Sequence, residues 1–230
     1  MSSYQQRRGE IETYFDRTAA HAWAQLTSTA PVSGIRATVR AGRDAMRSTL
    51  LEWLPADLTG ARLLDAGCGT GALSVEAARR GAHVVAIDLS PTLVKLAEER
   101  LPRDLKGSIE FHVGDMLDPT LGRFDHVVAM DSVIHYRSDD IVAMLRTMAA
   151  RTDGSMVFTF APQNAALFLK IAVGRLFPRK DRAPDIRPVA PGSLLRKLAS
   201  EPGLKAWRPG RTQRIASAFY KSQALELLPL

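Results

Sequence analysis

One stretch limits this 230-residue chain more than any other: Leu63-Leu64-Asp65-Ala66-Gly67-Cys68-Gly69-Thr70-Gly71. A short run from Ala61 to Leu64, apolar apart from Arg62, reads as a buried strand, and it ends on an acid. Three glycines then alternate before a helical pattern that covers Ala72 to Arg80. Glycines in a strand-to-helix turn permit positive φ and let a ligand come close to the main chain. The helix behind the turn aims its unpaired N–H groups at the same point.

Two ligand classes suit such a turn, and Asp65 separates them. Gly67-x-Gly69-x-x-Ala72 satisfies the dinucleotide fingerprint, whose turn approaches a pyrophosphate. A carboxylate on the entry strand repels a pyrophosphate. It suits a cation, such as the amino group of a methionine moiety.

From Ala61 onward strand and helix patterns alternate, which is the signature of a parallel sheet with right-handed crossovers. His83 to Asp88 is a near-continuous apolar strand, as expected where both sheet faces are covered. Asp88 lies 17 residues after Gly71, where an acid accepts from both hydroxyls of a ribose. Ser90-Pro91 is a helix cap followed by proline at the first helical position. Ile109 to Gly114 reads as a third strand followed by Asp115-Met116, and Phe124 to Asp131 as a fourth. Ser132 to Tyr136 is the loop beyond it, and Ser138-Asp139-Asp140 reads as the cap of the next helix. Taken singly, an acid after a strand is often a turn residue. Asp65, Asp88 and Asp115 end three successive strands, at the edge where open α/β sheets bind ligands.

Ser155 to Pro162 reads as a fifth strand, Gln163 to Phe177 as an apolar helix, and Phe177 to Val189 as a proline-broken basic loop. Pro191 to Ser200 is a helix, and the residues through Ala218-Phe219-Tyr220 suit a closing antiparallel hairpin. Ahead of the sheet, residues 5–28 have a helical apolar face, and Ser33 caps a second helix to about Leu54. Arg36, Arg40, Arg43 and Arg47 form one stripe on it, either a solvated face or a wall facing an anion. The patterns divide the chain into a helical arm over residues 1–54 and an α/β unit over 55–230, with 163–200 as an insertion after the fifth strand.

The net charge of +7 is uneven: residues 48–162 hold 11 basic and 16 acidic groups, whereas 163–230 hold 13 basic and four acidic. An acidic core between basic flanks points to an anionic partner or to a solvated basic face. No run reaches the ~18 apolar residues of a membrane span, and Met1 to Glu12 lacks a signal-peptide core. The one cysteine, Cys68, excludes an internal disulfide, fits a reducing cytoplasm, and reads as a small filler in the turn.

Asp65 with Gly67, Gly69 and Gly71 resembles the first motif of class I S-adenosylmethionine-dependent methyltransferases. The resemblance implies a Rossmann-like α/β fold, with residues 1–54 as an arm or lid, 55–230 as the S-adenosylmethionine-binding methyltransferase domain, and 163–200 as its substrate-binding insertion. The implied sheet has seven mostly parallel strands and an antiparallel closing hairpin, with N-terminal helices and a helical insertion after strand five. It also implies S-adenosyl-L-methionine as co-substrate, with Asp115 accepting from the adenine amino group, Met116 near the ring, and Asp131 toward the reactive end.

More specific segments lie outside that core: Tyr14-Phe15-Asp16, Asp131-Ser132-Val133-Ile134-His135-Tyr136, Phe158-Thr159-Phe160-Ala161-Pro162 and Phe177-Pro178-Arg179-Lys180-Asp181-Arg182-Ala183-Pro184. They resemble the magnesium-protoporphyrin IX methyltransferases of (bacterio)chlorophyll synthesis. That family implies esterification of the C13 propionate. It implies supply of substrate by the porphyrin-binding subunit of magnesium chelatase, and a cytoplasmic or peripheral location on the photosynthetic membrane. The magnesium belongs to the substrate, and no protein-bound metal is expected.

The residues agree with such a ligand. Trp23, Leu26, Phe168, Ile171 and Phe177 offer apolar surface for a flat ring, and arginines offer bidentate partners for its carboxylates. A propionate, with a pKa near ~4.3 by analogy with Glu, needs no general base at neutral pH. His135 and Tyr14 are then expected to hold the propionate, or one of them to approach the magnesium axially. Four other readings are open: a methyltransferase for another small molecule such as a quinone precursor, an RNA methyltransferase, a non-catalytic porphyrin carrier, and an NAD-dependent protein. The basic runs lack the interleaved aromatics of a base-stacking platform, so no nucleic-acid partner is expected.

Overall fold

A computed structural model describes residues 3–16, 23, 27, 34–163 and 186–230. Helices α1 (Ser3–Tyr14) and α2 (Gly34–Trp53) precede the sheet. Then come β1 (Arg62–Ala66), α3 (Ala72–Arg79), β2 (His83–Asp88), α4 (Pro91–Glu99), β3 (Ser108–Val113), β4 (Phe124–Ala129), α5 (Ser138–Ala149) and β5 (Thr152–Phe160). Helix α6 (Pro191–Ser200) leads into β6 (Trp207–Ala216) and β7 (Lys221–Pro229). The expected insertion helix and most of the basic loop after it fall on 164–185, outside the described residues, as do Leu26, Ser33, Phe168, Ile171 and Phe177.

The strands lie in the order β3-β2-β1-β4-β5-β7-β6. β1 to β5 pair parallel, and β7 runs antiparallel between β5 and β6. The order reverses at β1, which opens a crevice beyond the carboxyl ends of β1 and its neighbours. The expected α/β fold with its closing hairpin is therefore the one observed.

Alternate strand residues feed two cores, as the period of two requires. Leu64, Val85, Ile87, Val127 and Phe158 face α5 and α6, which supply Ile141, Met144, Leu145, Leu194 and Leu198. Leu63, Val84, Ala86, Val128 and Val157 face α2 and α3, which supply Met46, Leu50, Leu73 and Ala77. Val39, Gly42, Met46 and Leu50 form the buried stripe of α2. A Cβ at Gly42 would stand 2.5 Å from Cδ1 of Tyr220, so hydrogen is all that fits between this helix and the hairpin.

α1 runs from Ser3 to Tyr14, Phe15 and Asp16 form a π-turn, and of the remainder of the helical face expected over 5–28 only Trp23 and Thr27 are described. The Asp16 Oδ1 accepts from Thr92 Oγ1 at 2.7 Å and from Ser90 Oγ at 3.4 Å. Two local readings need correction. β4 stops at Ala129 because Asp131 takes φ 53°, a left-handed conformation that a strand cannot hold. α5 starts at Ser138 itself, with Arg137 at the cap position and no side-chain cap. The Ser138 hydroxyl accepts instead from Lys197 Nζ at 2.8 Å, while Asp139 and Asp140 still place negative charge on the helix N-terminus. Ser90 does cap α4, accepting from the Leu93 amide at 3.3 Å. Among the described residues no helix is long and apolar enough to cross a membrane.

Candidate active site

The glycine turn opens where β1 ends. Gly67 has φ 88°, and a Cβ there would lie 2.3 Å from Cβ of Ser132, so both backbone and neighbour exclude a side chain. The space around Gly69, by contrast, is open to at least 4 Å. This leaves a bare stretch of main chain facing the crevice.

Asp65 closes the floor. It is buried and accepts from Ser74 Oγ of α3 at 2.6 Å. Burial pushes its pKa up to about 6, the Ser74 bond opposing and nearby Asp88 adding to the rise. Asp88 ends β2 and accepts from the Gly69 amide at 2.8 Å and the Ser90 amide at 3.0 Å. Burial raises its pKa as well, against those backbone bonds. The Cys68 thiol is pushed well up by burial, with Asp65 and Asp88 adding to it, so it is no thiolate nucleophile.

These groups line a cavity of about 490 Å³ together with Met116, Asp131 and His135. Ile11, Phe15 and Trp23 supply an apolar side, and Arg40, Arg43 and Arg47 of α2 a basic one. The arginine stripe is thus a cavity wall over three of its four members. Ser132 Oγ, Tyr136 Oη and Trp23 Nε1 on the cavity wall are buried with no hydrogen-bond partner among the described residues. Buried polar atoms are normally satisfied, so this wall suits a ligand with polar groups of its own.

The expected site residues do not all converge. Asp65, Gly67, Gly69, Asp88, Met116, Asp131 and His135 line the cavity, and Gly71 is the cap residue of α3 just behind it. His135 is buried in a short 3₁₀ turn, its ring 5.9 Å from that of Phe15, and its carbonyl accepts from Arg7 Nε at 3.0 Å. Tyr14 is buried edge-on to Phe15, at 5.1 Å, and is not among the residues that line the cavity. Asp115 does not line the cavity. Its carboxylate accepts from Tyr4 Oη at 2.5 Å, Arg8 Nη1 at 2.8 Å and the Leu117 amide at 2.9 Å. Sequence reasoning missed Ser74, although a hydroxyl one turn into the helix and nine residues after Asp65 was a readable signal. It also missed Phe15, which lines the cavity and meets both Tyr14 and His135 ring to ring.

A family model described as magnesium-protoporphyrin IX methyltransferase C-terminus matches residues 129–229, and a methyltransferase domain model matches 63–153. The chain is 50% identical over 229 residues to magnesium-protoporphyrin O-methyltransferase of Rhodobacter capsulatus, covering 99% of each chain. It belongs to the magnesium-protoporphyrin O-methyltransferase family. A solved magnesium protoporphyrin IX methyltransferase from Synechocystis with bound S-adenosylhomocysteine superposes with a TM-score of 0.82 at 26% identity, over 97% of this chain and 100% of that one. Ubiquinone biosynthesis O-methyltransferase of Xanthomonas oryzae is 37% identical over 149 residues, but covers only 59% of this chain and 60% of that protein. Membership of the magnesium-protoporphyrin family therefore rests on the whole chain, and the likeness to the quinone enzyme on part of it. As a member, the chain is an S-adenosylmethionine-dependent methyltransferase.

Proposed function

We propose that the chain transfers a methyl group from S-adenosylmethionine to the C13 propionate of magnesium-protoporphyrin IX, giving the monomethyl ester. The observation that carries this reading is the continuity of one cavity, from the acidic glycine turn to the Ile11, Phe15 and Trp23 wall beside the α2 arginines. A cationic cofactor and a flat anionic acceptor need those two surfaces side by side.

The cofactor supplies a methyl group on a positively charged sulfur. Asp65, kept dry, attracts the ammonium of its methionine moiety. Asp88 accepts from the ribose hydroxyls, Met116 packs against the adenine, and the main chain of Gly67 to Gly71 lies close alongside. Asp115 accepts from the adenine amino group once Tyr4 yields it. Asp131 fixes the protein surface at the reactive end.

The acceptor oxygen is already ionised at neutral pH, so the residues around it orient and exclude water. Well-aligned systems gain up to roughly 7–11 kcal/mol from such orientation. His135 holds the propionate or approaches the substrate's magnesium, and Tyr14 supports it through Phe15. Residues 1–54 serve as the arm over the 55–230 unit, with 163–200 completing the porphyrin side. The basic flanks support peripheral contact with an anionic membrane, and delivery of substrate by the porphyrin-binding subunit of magnesium chelatase accords with family membership.

The test is to incubate purified protein with S-adenosylmethionine and magnesium-protoporphyrin IX and to separate products by chromatography. Monomethyl ester is expected. Porphyrin binding without ester sinks the enzymatic reading in favour of a carrier, and ester formed only on a quinone precursor moves the chain to another acceptor.

A further inference from the structure

We propose that Arg43 grips a ligand carboxylate in the cavity, held ready by Asp131; this deepens the function proposed above and rests on it. Arg43 projects from the middle of α2 and lines the cavity. Its Nη1 donates to Asp131 Oδ2 at 2.8 Å, and its Cζ lies 4.6 Å from the Trp23 ring centroid. A guanidinium fixed on one edge by a carboxylate and on one face by an indole has lost most of its rotamer freedom before any ligand arrives.

The anchor is itself unusually well held. Tyr220 Oη donates to both Asp131 oxygens at 3.1 Å, and Ser222 Oγ and Thr159 Oγ1 each donate to Oδ1 at 3.1 Å. Thr159 Oγ1 also accepts from the Asp131 amide at 2.8 Å, which fixes the backbone in its left-handed conformation. Three hydroxyls from β5 and the hairpin thus set the position of one carboxylate, and that carboxylate sets the guanidinium.

Among the described residues, the bond to Asp131 uses one N–H of a group that has five. The remaining edge is a planar fork that matches a second carboxylate. Arg47, by comparison, is paired to Asp44 at 3.0 Å across a more exposed face of the same helix. Asp44, Asp65, Asp88 and Asp131 all line the cavity, so an entering carboxylate needs a local cation to be tolerated there. A carboxylate reaches this cavity from two sources, the methionine end of the cofactor and the propionate of the acceptor.

Two ligand pairs separate a gripping role from a merely structural one. S-adenosylhomocysteine is compared with its analogue lacking the α-carboxylate by calorimetry, and magnesium-protoporphyrin IX with its dimethyl ester by absorbance titration. In the wild-type protein, the carboxylate-bearing member of at least one pair binds roughly 10- to 100-fold tighter. Arg43→Met brings that ratio close to one, Arg43→Lys retains part of it, and Asp131→Asn falls between. Collapse in the first pair assigns the cofactor carboxylate, and collapse in the second assigns the propionate; either upholds the proposal. Unchanged ratios in both pairs, with circular dichroism showing folded variants, overturn it. If Arg43→Met does not fold, Arg43→Lys reads the same ratio. Wild-type protein that binds no porphyrin removes the proposed function, yet the cofactor pair still decides the role of Arg43.

Discussion

Ser74 Oγ donates to Asp65 Oδ2 across 2.6 Å, and neither residue is open to water. The bond steadies a carboxylate that burial otherwise disfavours, leaving its pKa at about 6. Only the ionised form attracts an ammonium. Affinity for S-adenosylhomocysteine is therefore expected to be full well above pH 6 and to fall by up to tenfold per unit below it. Calorimetric titrations between pH 5 and 8 measure this, and a flat profile would show that Asp65 does not meet the ligand's charge.

The same burial has a cost in stability. The Asp65 pKa rises from 3.8 to about 6 on folding. Between those values the unfolded chain releases its proton first, so stability falls as pH climbs through that window. Asp65→Asn is expected to raise Tm at pH 7.5 by on the order of 5 °C, with the gain closing near pH 4. Thermal melts at the two pH values check the sign.

Gly42 is the point where α2 meets the hairpin. The 2.5 Å that a Cβ would leave to the Tyr220 ring means that Gly42→Ala must push the helix or the ring aside. A loss of about 1–3 kcal/mol is expected by urea denaturation. Because Tyr220 also holds Asp131, cofactor or acceptor binding should weaken in the same variant.

Asp115 fastens α1 through Tyr4 and Arg8. Asp115→Ala removes both partners' anchor, and trypsin is expected to cut after Arg7 and Arg8 several-fold faster than in the wild type. Equal cleavage rates would mean that α1 is held by its other contacts, such as Arg7 to the His135 carbonyl and Ser3 to Asp140.

His135 lines the cavity and Tyr14 does not, so their variants should differ. His135→Ala is expected to lower turnover by roughly 10²-fold, the cost of a misplaced reacting group. Tyr14→Phe, which keeps the packing against Phe15, should act more mildly. Steady-state assays with magnesium-protoporphyrin IX rank the two, and an equal or reversed order would argue against His135 being the one that meets the acceptor.

The fold was legible because its signals are local. Short apolar runs mark β1, β2 and β4, and each turn residue sits beside the strand that it ends. Asp65, Asp88, Met116 and His135 were readable for a related reason, since each follows or ends a strand at the carboxyl edge of the parallel sheet, although Asp115 at the same edge turns to α1 instead. What stayed illegible is long-range. That Tyr4 and Arg8 take up Asp115 is a contact across 111 and 107 residues. No spacing rule encodes it. Nor does the arginine stripe of α2 reveal which member meets Asp131, because four equivalent side chains on one face are separated only by where the sheet happens to pass. Ser138 reads as a cap for a related reason: its local pattern is right, but Lys197 from a helix far along the chain claims the hydroxyl.

The hairpin that closes the sheet also decides when the cavity comes into being. Asp131 is reached by Tyr220 and Ser222 from 89 and 91 residues further on. During synthesis, the glycine turn and its acids therefore emerge and can fold long before that anchor is complete. Contacts of such separation form late and slowly. The cofactor floor and the support of the Arg43 wall thus come from segments far apart in the chain. Arg43 is therefore made before the residues that fix the carboxylate it pairs with.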